Sequence, residues 1–170
     1  MKLKIPEVIT EEELLQIIKI TKRKNHKLAF ILGFYECMRV SEVAKLKIEH
    51  IDKNARLIRI KQGKGGKDRN IPINPFVLPK LKYLPVGCGI RALQFAFKKR
   101  GMAVTGRDVH FHTLRHSGAT YYLNEKKWNL RKLQRFLGHS KVSTTEIYTH
   151  VNEKDLVDEM WKDDEVAKGW

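Results

Sequence analysis

The stretch Lys27–Met38, which reads KLAFILGFYECM, decides the fold. Its apolar side chains lie almost all round a helix, which is the pattern of a helix buried on every side. The sequence therefore predicts a buried central helix, with Arg39 directly at its C-terminal end.

One further helix is predicted on each side of this central helix. Thr10 and Glu13 form a capping-box pattern, so a helix should begin there and run to about residues 22–24. Ser41 is expected to cap a short third helix whose Val43 and Leu46 face inward.

The period then changes from helical to alternating. Arg56–Lys61 and Arg69–Ile73 read as two strands of a hairpin with a Gly-rich tip at 63–68, and Pro72 marks the second strand as an edge. Further helices are expected at Pro75–Leu84, Ile90–Arg100 (stopped by Gly101), Thr113–Asn124, Asn129–Leu137, Ser143–His150 and Asn152–Trp161. We predict a mainly α fold with a small antiparallel β-sheet (α+β).

Composition and charge narrow the class of protein. The length of 170 residues fits one domain. The net charge of +15 indicates a polyanionic partner and favours nucleic acid over anionic lipid. Residues 151–170 carry −4, so residues 1–150 carry +19. Two cysteines and the lack of an apolar N-terminal stretch lead us to expect a cytoplasmic protein, and the basic charge leads us to expect that it associates with DNA.

Several polar residues are ordinary singly but distinctive together. Arg39 is followed by Glu42, Lys64 lies on the hairpin tip, and then come HTLR at 112–115, Leu137-Gly138-His139 and Tyr148. Planar guanidinium groups can clamp two oxygens of an anion such as phosphate at once, and Arg39 and Arg115 suit this clamp. His112 suits a general base, because a neutral imidazole can accept a proton from a nearby hydroxyl.

These stretches resemble the tyrosine recombinases, also called the lambda-integrase family. The resemblance is carried by MRVSEV (38–43), GKGGKDR (63–69), HTLRHSGAT (112–120) and the segment 137–150. It implies the integrase catalytic-domain fold and a site-specific recombinase or integrase that rejoins DNA through a 3′-phosphotyrosine. A type IB topoisomerase-like relaxing enzyme and a non-catalytic DNA-binding relative are the alternatives.

The resemblance also implies a role for each matching residue. Tyr148 would be the nucleophile, Lys64 the general acid for the leaving 5′-oxygen, and His139 a donor to the phosphate. Glu42 would orient Arg39, and His116 would help to position the residues that touch the phosphate without touching it itself. Lys67 and Arg69 are expected to contact DNA phosphates.

A metal site is the competing interpretation of part of this pattern. His110, His112, His116 and Cys88 could be ligands, but their spacing fits no standard zinc pattern. We expect no metal and no cofactor. The expected partners are double-stranded DNA and further copies of the chain in a tetrameric synapse on DNA, with no membrane and no small-molecule substrate.

The domain plan is a single catalytic domain over residues 1–170. Residues 1–9 would be a lead-in and residues 152–170 an acidic C-terminal helix and tail, and the N-terminal core-binding domain common in the family is expected to be absent. Leu156, Val157, Met160 and Trp161 give that helix an apolar face. It could pack on its own domain or on a neighbouring protomer, which the resemblance favours.

Overall fold

The computed structural model describes residues 7–61, 66–138 and 153–162. The α-helices are α1 (Glu11–Ile20), α2 (Lys24–Tyr35), α3 (Val40–Lys45), α4 (Ile90–Thr105), α5 (Phe111–Asn124), α6 (Leu130–Leu137) and α7 (Glu153–Met160). The strands are β1 (Ile51–Asp52), β2 (Leu57–Ile60) and β3 (Arg69–Pro72), and short 3-10 helices span Ile48–His50 and Leu78–Tyr83. The predicted α+β class is confirmed.

Helix α2 is the centre of the core, as its sequence predicts, and it packs against α5. Two glycines permit this close approach. A Cβ at Gly118 would lie 1.9 Å from the carbonyl oxygen of Phe34, and one at Gly33 would lie 2.9 Å from Leu114. Because α5 carries Arg115, the α2–α5 contact brings this arginine to the core.

The end of α2 differs from the prediction. The helix stops at Tyr35, and Cys37 takes a left-handed φ of 48° that turns the chain. Arg39 therefore lies at the N-cap of α3 rather than at the end of α2. Ser41 does not cap α3. The carboxylate of Glu42 instead accepts a hydrogen bond from the main-chain N–H of Arg39.

The predicted hairpin is confirmed, and it belongs to a three-stranded antiparallel sheet in the order β1-β2-β3. Ile58 faces Ile71 and Ile60 faces Arg69 in the β2–β3 pair. Strand β3 is an edge of the described sheet, as Pro72 indicates. Strand β1 was not predicted, because two residues are too few to show an alternating pattern.

Helix α4 continues through Gly101, where the sequence suggested a stop, and ends at Gly106 with a φ of 67°. A Cβ at Gly101 would lie 2.3 Å from Val109 Cγ2. Gly101 therefore serves close packing and does not end the helix. The region expected to be helical at 75–84 contains the 3-10 helix Leu78–Tyr83 instead of an α-helix.

The acidic C-terminal helix α7 packs on its own domain, against β3. Leu156 and Met160 are buried, and the indole Nε1 of Trp161 donates to the carbonyl of Ile73 at 2.9 Å. The Arg56 guanidinium lies 3.9 Å from the centre of the Trp161 ring. Of the two placements left open by the sequence, the structure shows the one within the chain. The predicted helix at Ser143–His150 lies outside the described residues.

None of the helices in the described ranges combines the length and hydropathy needed to cross a bilayer.

Candidate active site

Glu42 lies between two arginines that the fold brings together. Arg39 Nη1 donates to Glu42 Oε1 at 3.1 Å, and the role of Glu42 in orienting Arg39 stays a prediction. Arg69, from β3, donates from Nη1 to Oε1 at 2.7 Å and from Nη2 to Oε2 at 3.1 Å. These hydrogen bonds lower the pKa of Glu42 against the opposing effect of burial, which is the largest influence on it. The pair Arg69–Glu42 was not predicted from the sequence, and a DNA contact by Arg69 stays a prediction.

Arg115 is buried, with 5% of its surface exposed. Its Nη1 donates to the carbonyl of Cys37, and its Nη2 donates to the carbonyl of Leu137 at 2.8 Å. Burial, and next the charge of Arg39, lower the pKa of Arg115 to about 10. The guanidinium therefore stays charged at neutral pH and close enough to Arg39 for their charges to repel.

His112 is the second residue of α5 and faces solvent, one turn before His116. The two imidazole rings meet edge to face with their centres 4.4 Å apart. Partial burial lowers the pKa of His112, and the charges of His116, Arg115 and Arg39 add to this effect. A lowered pKa keeps the ring neutral near pH 7, which is the state a general base needs.

The charges of this region are not balanced. The charges of Arg39 and Arg69 both lower the pKa of Arg115, and Glu42 is the only carboxylate among the described groups that raise it. Three guanidinium groups around one carboxylate leave a surplus of positive charge. Such a site can bind an anion and stabilise negative charge that develops on its oxygens.

A groove of about 610 Å³ begins at Arg39 and runs between α3 and β2. Its cationic lining residues are Arg39, Lys45, Lys47, Arg59 and Lys61, and Glu42 is the one acid among the described residues that line it. The groove is therefore basic along its length and continuous with the arginine site. Helical spacing predicted that Val43 and Leu46 face inward, but no local pattern showed that a strand of the sheet lies across the groove from Lys45 and Lys47.

Three of the predicted site residues lie outside the described residues: Lys64, His139 and Tyr148. Their roles stay predictions. Lys67 is exposed just before β3.

The alternative metal hypothesis involved His110, whose Nε2 lies 3.5 Å from Asp108 Oδ2. No group of three or more His, Cys, Asp or Glu side chains within the described ranges is arranged to hold a metal ion.

Sequence reasoning missed the main-chain acceptors that hold Arg115. The carbonyls of Cys37 and Leu137 are contributed by the ends of two helices, and any residue type supplies a carbonyl. The local signal was Gly138 itself, since a glycine after the last helical residue marks a helix end. In the structure this glycine has a left-handed backbone.

The chain matches known proteins over nearly its whole length. The model of the Phage integrase family matches residues 7–88 and 89–155. A tyrosine recombinase from Thermosipho africanus is 34% identical, over 94% of this chain and 62% of the relative. The tyrosine recombinase XerA from Pyrococcus horikoshii is 35% identical, over 89% of this chain and 59% of the relative. The chain thus spans about 60% of the length of these two relatives.

Solved structures show the same fold. The integrase from mycobacterium phage Brujita superimposes with a TM-score of 0.79 at 22% identity, over 94% of this chain and 58% of that one. A lambda integrase tetramer bound to a Holliday junction gives a TM-score of 0.67 at 19% identity, over 89% of this chain and 50% of that one.

Proposed function

Because the chain belongs to the phage integrase family, whose matched relatives are tyrosine recombinases, we propose that it is the catalytic domain of a site-specific DNA recombinase. One observation carries this proposal. Arg39 and Arg115 come from distant parts of the sequence, yet the fold places them together beside His112 with surplus positive charge. This arrangement fits a phosphodiester whose charge increases during the reaction.

The proposed reaction has two balanced halves. Tyr148 Oη attacks the scissile phosphorus and passes its proton to His112, while the bond from phosphorus to the 5′-oxygen breaks. Lys64 gives a proton to that leaving oxygen, and the product is a 3′-phosphotyrosine with a free 5′-hydroxyl. Attack by a 5′-hydroxyl on the phosphotyrosine reverses each transfer and releases Tyr148. The exchange conserves one phosphodiester, so it needs no ATP.

The groove beside Arg39 supports duplex DNA as the substrate. Its five cationic residues could follow a phosphate backbone away from the arginine site, and His139 would add a further donor at the phosphate. The similar lambda integrase was solved as a tetramer on a Holliday junction. We extend this to the present chain and propose that copies of it associate on DNA, since strand exchange needs several active sites together.

The test is capture of the covalent intermediate. The chain is incubated with nicked duplexes whose sequence around the nick is randomised. Cleavage beside the nick releases a short fragment that diffuses away, so religation is prevented and the covalent adduct is trapped. Denaturing electrophoresis should show a protein–DNA adduct that Tyr148→Phe cannot form, while this variant binds DNA like the wild type.

Sequencing of the trapped DNA then tests specificity. A recombinase should enrich one core sequence from the random pool. An adduct without any sequence preference would point to a relaxing enzyme, and an adduct that survives in Tyr148→Phe would remove Tyr148 as the nucleophile.

A further inference from the structure

The carboxylate of Glu42 accepts four hydrogen bonds. Oε1 receives Arg39 Nη1 and Arg69 Nη1, and Oε2 receives the main-chain N–H of Arg39 and Arg69 Nη2. A carboxylate has about four acceptor sites, so Glu42 is saturated. Arg69 supplies half of these bonds and commits both of its terminal nitrogens to them.

Arg69 also packs on Gly138, the residue that precedes His139 in the sequence. A Cβ at Gly138 would lie 2.6 Å from Arg69 Cδ and 2.9 Å from its Nε, so the arginine side chain packs directly on this glycine. The Nε of Arg69 is buried and makes no hydrogen bond to any residue of the described ranges. Only 14% of the Arg69 side chain is exposed, which leaves little of it to meet DNA.

We propose that Arg69 is a positioning residue for strand transfer and not a phosphate contact. It holds Glu42 against Arg39 on one side and packs on Gly138 on the other. This inference rests on the proposed function, because the proposed reaction needs the guanidinium of Arg39 at the phosphate.

The chemistry of Glu42 explains why Arg39 would depend on Arg69. Without Arg69, a buried carboxylate would lose two donors, and an unsatisfied buried charge is costly. The guanidinium of Arg39 could then rotate to form a bidentate salt bridge with Glu42. Those N–H groups would no longer be available to the phosphate, so the reaction would slow although Arg39 itself is intact.

Arg69→Ala and Arg69→Lys test the proposal, with Arg59→Ala as the comparison. Arg59 lies on the same hairpin but is largely exposed and lines the basic groove. DNA affinity is measured against salt concentration, the rate of adduct formation is measured at saturating nicked DNA, and thermal unfolding checks the fold.

A positioning role predicts a clear separation of these readouts. Arg69→Ala should leave the salt dependence of binding unchanged and lower the adduct rate at saturation by about a hundredfold, as small misplacements at a reacting centre do. Arg69→Lys should not restore the rate, because lysine cannot bond both carboxylate oxygens in a plane. Arg59→Ala, at a residue of the basic groove, should instead weaken binding and lower the salt slope by about 1.

Glu42→Gln supplies the second measurement. If Arg69 acts through Glu42, combining Arg69→Lys with Glu42→Gln should cost little more than Glu42→Gln alone. This cycle decides the question even if Arg69→Ala fails to fold. Additive losses, or an Arg69→Ala protein with a lower salt slope and a wild-type rate at saturation, would overturn the proposal. A wild-type protein that forms no adduct would instead overturn the proposed function.

Discussion

Arg115 donates a hydrogen bond from Nη2 to the main-chain carbonyl of Leu137, at the C-terminal end of α6. Its Nη1 donates to the carbonyl of Cys37, just beyond α2. One buried side chain on α5 thus joins the ends of two other helices. Arg115 thereby fixes the C-terminal end of α6 relative to the end of α2.

Arg115→Ala should therefore damage both stability and activity. Hydrogen bonds from a charged donor contribute about 1.5–3 kcal/mol each, and two are lost. The adduct rate should fall by about 10² or more, as for removal of a group that stabilises an oxyanion. Arg39→Ala is the matched control, since Arg39 is partly exposed: it should lose a similar factor in rate with a much smaller change in urea unfolding. An effect of tenfold or less on the rate for both variants would contradict the arginine clamp.

The rate of adduct formation should depend on the protonation of His112. A base works only when neutral, so activity should be present above the pKa of His112 and disappear as the pH falls through it. Because that pKa lies below the usual value of 6.5, the loss should occur on the acid side of pH 6.5. His116→Ala removes a neighbouring charge and should shift the acidic limb of the pH profile to higher pH. An unchanged limb in this variant would mean that another group titrates.

Lys64→Ala should be rescued by a substrate whose leaving 5′-oxygen is replaced by sulfur. A thiolate leaves without a proton, so the general acid becomes unnecessary. The same substrate should not rescue Arg115→Ala, whose defect lies in charge stabilisation. Adduct formation with matched oxygen and sulfur substrates measures both; equal rescue of the two variants would remove Lys64 from the acid role.

Glu36→Gln should stabilise the fold in a pH-dependent way. Glu36 is fully buried, with one oxygen accepting from the N–H of Asn74 and the other unpartnered, and burial raises its pKa to about 8. The folded chain therefore binds a proton that the unfolded chain releases above about pH 4.5. The stability that this bound proton contributes is lost as the pH rises toward 8, at up to about 1.4 kcal/mol per pH unit. Urea unfolding at pH 5 and pH 8 should show a larger gain for Glu36→Gln at pH 8; equal gains would show that Glu36 is not protonated in the fold.

Leu156→Ala should destabilise the single chain, because this side chain is buried against its own domain. Removal of a buried leucine costs about 2–5 kcal/mol, whereas the exposed Asp158→Ala on the same helix should change stability by less than about 0.5 kcal/mol. Urea unfolding measures this, and sedimentation without DNA should be the same for both variants. If Leu156→Ala instead leaves unfolding unchanged and dissociates an oligomer, α7 docks on a neighbour.

The parts of this fold that follow from local sequence were predictable. The capping box at Thr10, the burial of the Lys27–Tyr35 stretch and the hairpin at β2–β3 each depend on residues close in the chain. Cys37 was not predictable as a turn, since a non-glycine residue with positive φ is uncommon. Gly101 misled because a glycine that ends a helix and one that allows close packing look alike in a single sequence.

The candidate site was likewise predictable only in part from the sequence. The residue types Arg39, His112 and Arg115 were chosen from their chemistry and motif, and the structure brings them near one another. The Arg69–Glu42 pair spans 27 residues, and no local pattern indicates which acid a given arginine meets. Likewise, the apolar face of α7 showed that the helix must be covered but not what covers it.

The position of α7 has a consequence for association between molecules. Strand β3 is an edge of the described sheet, and an exposed edge can pair with strands of other molecules. Helix α7 packs against β3, and its Glu153 accepts a hydrogen bond from the side chain of Asn70 on that strand at 2.9 Å. Deletion of residues 153–162 should therefore increase aggregation, even under conditions where the rest of the domain stays folded.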